Sequence, residues 1–263
     1  MTATETTTQE RIAKLLVSGE LFIETDLPKE TTDAYCAERQ PWRVVYEFSN
    51  GTRTDHFETE DFIYNPRPLG KLRLFNQVVD LSQFAGKSVL DVGFNEGYHS
   101  IFMSKYLDCT VDAIDYSPGS VAKVSDLLDL IGETNIDLAI ADAATYSRRN
   151  AYDLILHLGT LYHLPDVWGS IANSALSLRN GGTLFLETIT YHSDVDESDC
   201  RFINTLNPGQ KNYWALSKAA IKHMFAEHGV RHVADVKDYE VKILEGTGMM
   251  RSLMVFQKGN SVT

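Results

Sequence analysis

The chain has 263 residues, 43% hydrophobic and 23% charged, enough for one large α/β domain with an extension. Its 36 acidic residues outnumber 24 Lys and Arg; with a net charge of −12 and no dense basic cluster, a nucleic-acid partner is not expected. Nothing approaches the roughly 18 apolar residues of a membrane helix, the polar start Met1–Thr8 resembles neither a signal nor a transit sequence, and Cys36, Cys109 and Cys200 are spaced for neither a disulfide framework nor a CxxC metal site, so a cytoplasmic protein is expected.

Residues 1–8 have too little apolar content to order themselves. Between Glu10 and Leu21 the pattern is helical, with Ile12, Leu15, Leu16 and Phe22 close to one face; Thr31–Arg39 reads as a second short helix before Pro41. Val44–Phe48 and Thr52–Phe57 flank Ser49-Asn50-Gly51, which predicts a hairpin because Asn and Gly tolerate the backbone of tight turns. Pro66 and Pro68 close this part. From Phe75 the rhythm becomes βαβα. Strands are expected at 88–93, 110–115, 137–141, 152–158, 182–188, about 232–243 and 251–257. Helices are expected near 74–82, 98–107, 118–131, 167–179 and 217–229. This alternation predicts an α/β fold with a Rossmann-like, mostly parallel seven-stranded sheet. The connection Ile189–Ser217 shows little regular pattern, and long loops of this kind are usually functional.

The most informative segment is Val89-Leu90-Asp91-Val92-Gly93-Phe94-Asn95-Glu96-Gly97. An apolar run breaks at two glycines and a helical pattern follows, which reads as strand, tight turn, helix. Glycines there let backbone N–H groups approach a ligand, and the helix N-terminus favours negative charge. Asp91, Gly93, Asn95 and Gly97 are therefore candidate cofactor-binding residues. Asp115 ends the second strand, with Tyr116 beside it. Its carboxylate suits a pair of ribose hydroxyls, or it caps the helix that begins near Pro118. Asp142 and Ala143 follow the third strand and, with Asp115, Tyr116 and Leu158 at the other strand ends, complete the candidate cofactor-binding set. The fourth ends at His157-Leu158, and its exit segment carries Tyr162 and His163 to the carboxyl edge, where open α/β sheets bind ligands. His163 has the pKa range of a general base, or it packs or caps the helix after Pro165. The long connection adds His192, Tyr213 and Trp214. His192, Asp194, Asp196, Glu197 and Asp199 imitate an oxygen-rich metal set. Acidic loop runs are ordinarily solvated, so no metal is expected.

The glycine segment resembles motif I of the class I S-adenosylmethionine (SAM) methyltransferases. The resemblance implies SAM as cofactor, an adenine-amino contact at Asp142, an antiparallel pairing of the last two strands, and a division into 1–70, an N-terminal extension and lid, and 71–263, the SAM-binding methyltransferase domain. Within the class, several pieces resemble the wobble-uridine tRNA carboxymethyltransferases. They are Leu90–Gly93, Gly159-Thr160-Leu161-Tyr162-His163, Leu186-Glu187-Thr188, Asn212-Tyr213-Trp214, and Arg251 ahead of Ser252-Leu253-Met254-Val255. In that family a tyrosine and a late arginine hold the carboxylate of carboxy-SAM, at positions matching Tyr162 and Arg251. A family lysine follows Pro-Trp-Arg; here Pro41-Trp42-Arg43 is followed by Val44. With the acidic balance, this leads to the expectation of an enzyme that moves the methyl of ordinary SAM to a hydroxyl or amine of a small molecule. His163 and Tyr162 are the expected catalytic residues, and His157, His192, Tyr213, Trp214 and Arg251 the expected acceptor contacts. The alternatives are a tRNA-modifying (carboxy)methyltransferase and a non-catalytic SAM-binding protein. The sequence carries no signal for oligomeric state.

Overall fold

Alternation of apolar side chains along the strands decides which helices cover which face of the sheet. The computed structural model describes residues 12, 16, 21–54, 68–191, 198–203, 211–240 and 244–260. In chain order they form β1 (Leu21–Ile23), α1 (Lys29–Glu38), β2 (Tyr46–Phe48), α2 (Pro68–Asn76), β3 (Ser88–Val92), α3 (Tyr98–Leu107), β4 (Thr110–Asp115), α4 (Pro118–Ile131) and β5 (Ile136–Ile140). There follow β6 (Tyr152–Leu158), α5 (Val167–Ser177), β7 (Leu178–Tyr191), β8 (Cys200–Phe202), β9 (Trp214–Leu216), α6 (Lys218–Glu227), β10 (Val230–Tyr239) and β11 (Met249–Lys258). The main sheet runs β10-β11-β7-β6-β3-β4-β5. Pairing is parallel from β7 through β5 and antiparallel at β7–β11 and β11–β10, as the resemblance implies.

Val89, Val111, Leu154, Phe185 and Val255 point to one face, where they pack with Phe75 of α2, Phe102 of α3 and Leu127 of α4. Their neighbours Leu90, Ile155, Leu184 and Met254 point to the other, against Ile171 of α5 and Phe225 of α6. This period of two is what a sheet covered on both faces requires. Helix starts follow capping chemistry: Ser117, Asp166 and Ser217 accept hydrogen bonds from the amides of Ser120, Gly169 and Ala220.

The structure departs from the expected elements in three places. The helix expected at 74–82 lies at 68–76, and a 3-10 turn, Leu81–Phe84, follows it, because Asp80 caps a new start at Leu81 by accepting from the Ser82 amide. Around Asn50-Gly51 the expected antiparallel pairing is present but short, with the Phe48 amide donating to the Thr52 carbonyl (2.9 Å), the Thr54 amide to the Tyr46 carbonyl (3.1 Å) and one bridge from Glu47 to Arg53, while β2 also pairs in parallel with β1. The connection 189–217 is more regular than its sequence: β7 extends to Tyr191, β9 pairs in parallel with the β7 end, and β8 pairs antiparallel with β9. In the N-terminal part, Ile12, Ile23, Trp42 and Tyr46 are buried in the same apolar cluster as Val89 and Phe102. Among the described residues no helix is long and apolar enough to cross a membrane.

Candidate active site

The turn between β3 and α3 is shaped by three residues with positive φ: Gly93 (74°), Asn95 (54°) and Gly97 (76°). A Cβ on Gly93 would stand 2.2 Å from Thr160 Oγ1, and one on Gly97 would stand 2.7 Å from Val124 Cγ1. Thr160 is fixed there because its hydroxyl donates to the Val92 carbonyl at 2.9 Å. Glycine at 93 is thus required by crowding from the β6 exit as well as by φ, which the sequence pattern alone did not reveal. The Asn95 amide donates to Asp115 Oδ2 (3.0 Å) and the Ser117 amide to Asp115 Oδ1 (2.9 Å). Asp115 therefore ties the two strand-end turns together, and Ser117, not Asp115, caps α4. Gly97 is the N-cap residue of α3 and has no side chain to cap it, so the positive end of that helix opens onto the turn.

Beneath the turn, Asp91 is buried and accepts a hydrogen bond from Ser100 Oγ (2.7 Å). Burial pushes its carboxyl up to about 7, against the Ser100 bond, which lowers it. Asp142 shapes the turn after β5: its Oδ1 accepts from the Ala144 amide (2.8 Å) and its carbonyl from the Tyr146 amide (2.9 Å). Tyr116 is strongly exposed beside Asp115, Ala143 is half-buried, and Leu158 is buried at the β6 end.

The exit of β6 and the β8–β9 pair meet. The Tyr213 amide donates to the Tyr162 carbonyl (2.8 Å), and Trp214 Nε1 donates to the Pro165 carbonyl (3.1 Å). His163 Nδ1 lies 2.7 Å from the Lys211 carbonyl. A carbonyl only accepts, so Nδ1 carries the proton and Nε2 keeps its lone pair. Burial lowers the His163 pKa below 6.5, and the nearby Arg251 and Arg43 charges lower it further, against the bond to Lys211. Tyr162, His163, Tyr213 and Trp214 are thus brought together. His157 is placed elsewhere: it is buried with Nε2 3.0 Å from Ser170 Oγ of α5, and burial lowers its pKa to about 4. It packs beneath the site, because its strand position points to the α5 face. His192 lies outside the described residues, as do Asp194, Asp196 and Glu197. Among the described residues no group of three or more His, Cys, Asp or Glu is arranged to hold a metal.

Arg251 joins this group from β11. Its guanidinium donates to the Tyr162 hydroxyl (2.7 Å) and to Glu187 Oε1 (2.6 Å). Lys71 of α2 donates to Glu187 Oε2 at 2.9 Å. Burial alone would raise the Glu187 pKa, but Arg251 and Lys71 outweigh it and hold the carboxyl at about 2. Lys71 and Glu187 escaped the sequence reading as site residues. Two signals pointed to Glu187: it is a carboxylate ending the apolar run Leu184-Phe185-Leu186, and Leu186-Glu187-Thr188 is one of the pieces that resemble the family.

A family model described as a methyltransferase domain matches residues 67–234. A tRNA U34 carboxymethyltransferase of Chromohalobacter salexigens is 26% identical over 175 residues, 63% of this chain and 50% of that protein. A probable (S)-tetrahydroprotoberberine N-methyltransferase of Papaver bracteatum is 26% identical over 103 residues, 39% of this chain and 29% of its own length. The chain spans about half the length of the tRNA U34 relatives it matches. The crystal structure of the N-terminal domain of EvdMO1 with SAH bound superposes with a TM-score of 0.67 at 16% identity, over 88% of this chain and 98% of that one, which establishes the fold. The expectation of a small-molecule acceptor with nucleic acid unlikely is overturned by the relatives, several of which are tRNA U34 carboxymethyltransferases. That expectation leaned on a net charge of −12. Net charge sums the whole surface, whereas a polyanion is recognised by a local set of cations.

Proposed function

The chain belongs to the methyltransferase domain family, and from that premise we propose that this SAM-dependent enzyme transfers a methyl or carboxymethyl group to a base of tRNA. The observation that carries the reading is the Arg251 guanidinium, fixed by Glu187 and bonded to the Tyr162 hydroxyl at the sheet's carboxyl edge. A tyrosine hydroxyl and a guanidinium held side by side suit a carboxylate on the transferred group. The residues also fit SAM on the donor side: an open helix N-terminus at Gly97 suits an amino-acid carboxylate, and Asp115 and Asp142 stand at successive strand ends. SAM would supply a methyl, and carboxy-SAM a carboxymethyl, already activated by the sulfonium.

What the protein adds is alignment and proton handling. Arg251 and Tyr162 would hold the carboxylate of a carboxymethyl donor and so orient the transferred carbon, and Tyr213 and Trp214 supply flat walls for a base. His163 Nε2, neutral and with its lone pair outward from the Lys211 bond, removes a proton from an acceptor that needs deprotonation. The part up to residue 70 serves as a lid over the acceptor.

The test is incubation of the protein with bulk tRNA and either SAM or carboxy-SAM, followed by nucleoside mass spectrometry. A new modified nucleoside is expected, and Arg251→Ala is expected to remove any preference for the carboxylated donor. Donor binding without any modified nucleoside would refute the acceptor assignment.

A further inference from the structure

The third residue between the two glycines of the turn, Glu96, is buried at 5% exposure, although nothing in that pattern calls for a carboxylate. Its Oε2 accepts from two consecutive amides of the N-terminal part, Arg43 (2.8 Å) and Val44 (3.0 Å). Its Oε1 accepts from Lys123 Nζ of α4 (2.7 Å), and its own carbonyl accepts from the Tyr46 hydroxyl (2.6 Å). Lys123 in turn donates to the Pro41 carbonyl (2.9 Å) and stands 3.7 Å from the centre of the Trp42 ring. Every polar atom that Glu96 presents on this side is therefore spent on one segment, 41–46, and on the lysine that clasps it. Glu96 lies between two residues of positive φ, Asn95 and Gly97. Asn is a tolerated but strained residue in that conformation, so the turn depends on its anchors.

We propose that Glu96 is a positioning residue of the donor site: it fastens segment 41–46 across the glycine turn and so holds the turn in its donor-binding shape. The N-terminal part is then a wall of the donor site. This rests on the reading that the turn holds SAM. The linkage works both ways, since a donor that binds the formed turn also stabilises the segment clasped to it.

The experiment uses the full chain and S-adenosylhomocysteine as probe, with Gly93→Val as control for the turn itself. Glu96→Ala is expected to raise the calorimetric Kd by roughly tenfold or more, the equivalent of one charge-assisted hydrogen bond. Glu96→Gln, which keeps an oxygen for the Arg43 and Val44 amides, is expected to restore most of the affinity. Hydrogen exchange at those two amides should slow when the probe saturates the wild type, and should not respond to it in Glu96→Ala. A purely structural role would lower the melting temperature without this ligand response. Wild-type affinity in a folded Glu96→Ala protein, or no ligand response in the wild type, overturns the proposal. If Glu96→Ala does not fold, Glu96→Met is used: it keeps the length of the side chain and removes both oxygens, and an undiminished ligand response at the two amides then overturns the proposal. Normal binding by Gly93→Val would instead refute the turn as the donor site.

Discussion

His163 and Gly93 show how a single side chain, or its absence, is constrained by groups distant in sequence. His163 donates from Nδ1 to Lys211, and burial keeps its pKa below 6.5. If Nε2 is the base, kcat should be flat above pH 6.5 and fall below it as the ring protonates. His163→Ala should lose that acid limb and lower kcat by roughly 10²-fold, the lower range for general-base catalysis, with the Kd for S-adenosylhomocysteine unchanged. An acid limb surviving in the variant would assign it to another group. At Gly93, a Cβ would stand 2.2 Å from Thr160 Oγ1. Gly93→Ala should therefore lower the melting temperature and weaken donor binding. Adding Thr160→Gly should recover part of the stability, leaving about 1–2 kcal/mol for an Ala at positive φ. Equal stability of the single and double variants would show that the crowding relaxes unaided.

At the scale of elements, two strands carry buried carboxylates with opposite pH behaviour. Glu187, on β7, is held at about 2 by Arg251 and Lys71. Because its folded pKa is depressed, its stabilising contribution is present above the ordinary value of 4.5 and is lost as pH falls toward 2. Lys71→Met removes one partner of a carboxylate with no exposure and should destabilise by about 3–5 kcal/mol in denaturant titrations. A loss below 1 kcal/mol, the range of a surface pair, would mean that Arg251 alone suffices. Asp91, on β3, is raised to about 7. Its favourable contribution is complete below 3.8 and is lost as pH rises through 7. Relative to wild type, Asp91→Asn should thus be more stable at pH 8 than at pH 5; chemical denaturation at both values checks the sign.

For the molecule as a whole, the N-terminal part and the sheet share one core. Trp42 and Tyr46 have no exposure and pack in the cluster that includes Val89 and Phe102. Trp42→Ala should cost about 3–5 kcal/mol, as for large core aromatics. A chain begun at residue 68 should lose cooperative thermal unfolding, since that apolar face would be uncovered. A truncated chain that melts as sharply as the full one would make the first 67 residues an appendage.

The strands β3, β4, β5 and β6 and the turn from Gly93 to Gly97 were legible in the sequence, because apolar alternation and glycine punctuation are properties of neighbouring residues. Asp115 and Asp142 were legible as strand ends for the same reason. Their partners were not: the bond from Asn95 to Asp115 joins two separate turns. His157 looked like an acceptor contact from its place in the chain, yet the pleat points it toward Ser170. Arg251, Glu187, Lys71 and Tyr162 come from three strand-end regions and a helix, and Glu96 meets Arg43 and Val44 only across the turn. By itself the sequence determined the βα alternation from β3 to β6, the glycine turn after β3 and the family resemblance, all of which rest on short-range pattern. Only the tertiary structure decided which charges share a site and what the N-terminal part supports, because ion pairs and buried hydrogen bonds form between whatever groups the fold brings within about 3 Å, whatever their separation along the chain.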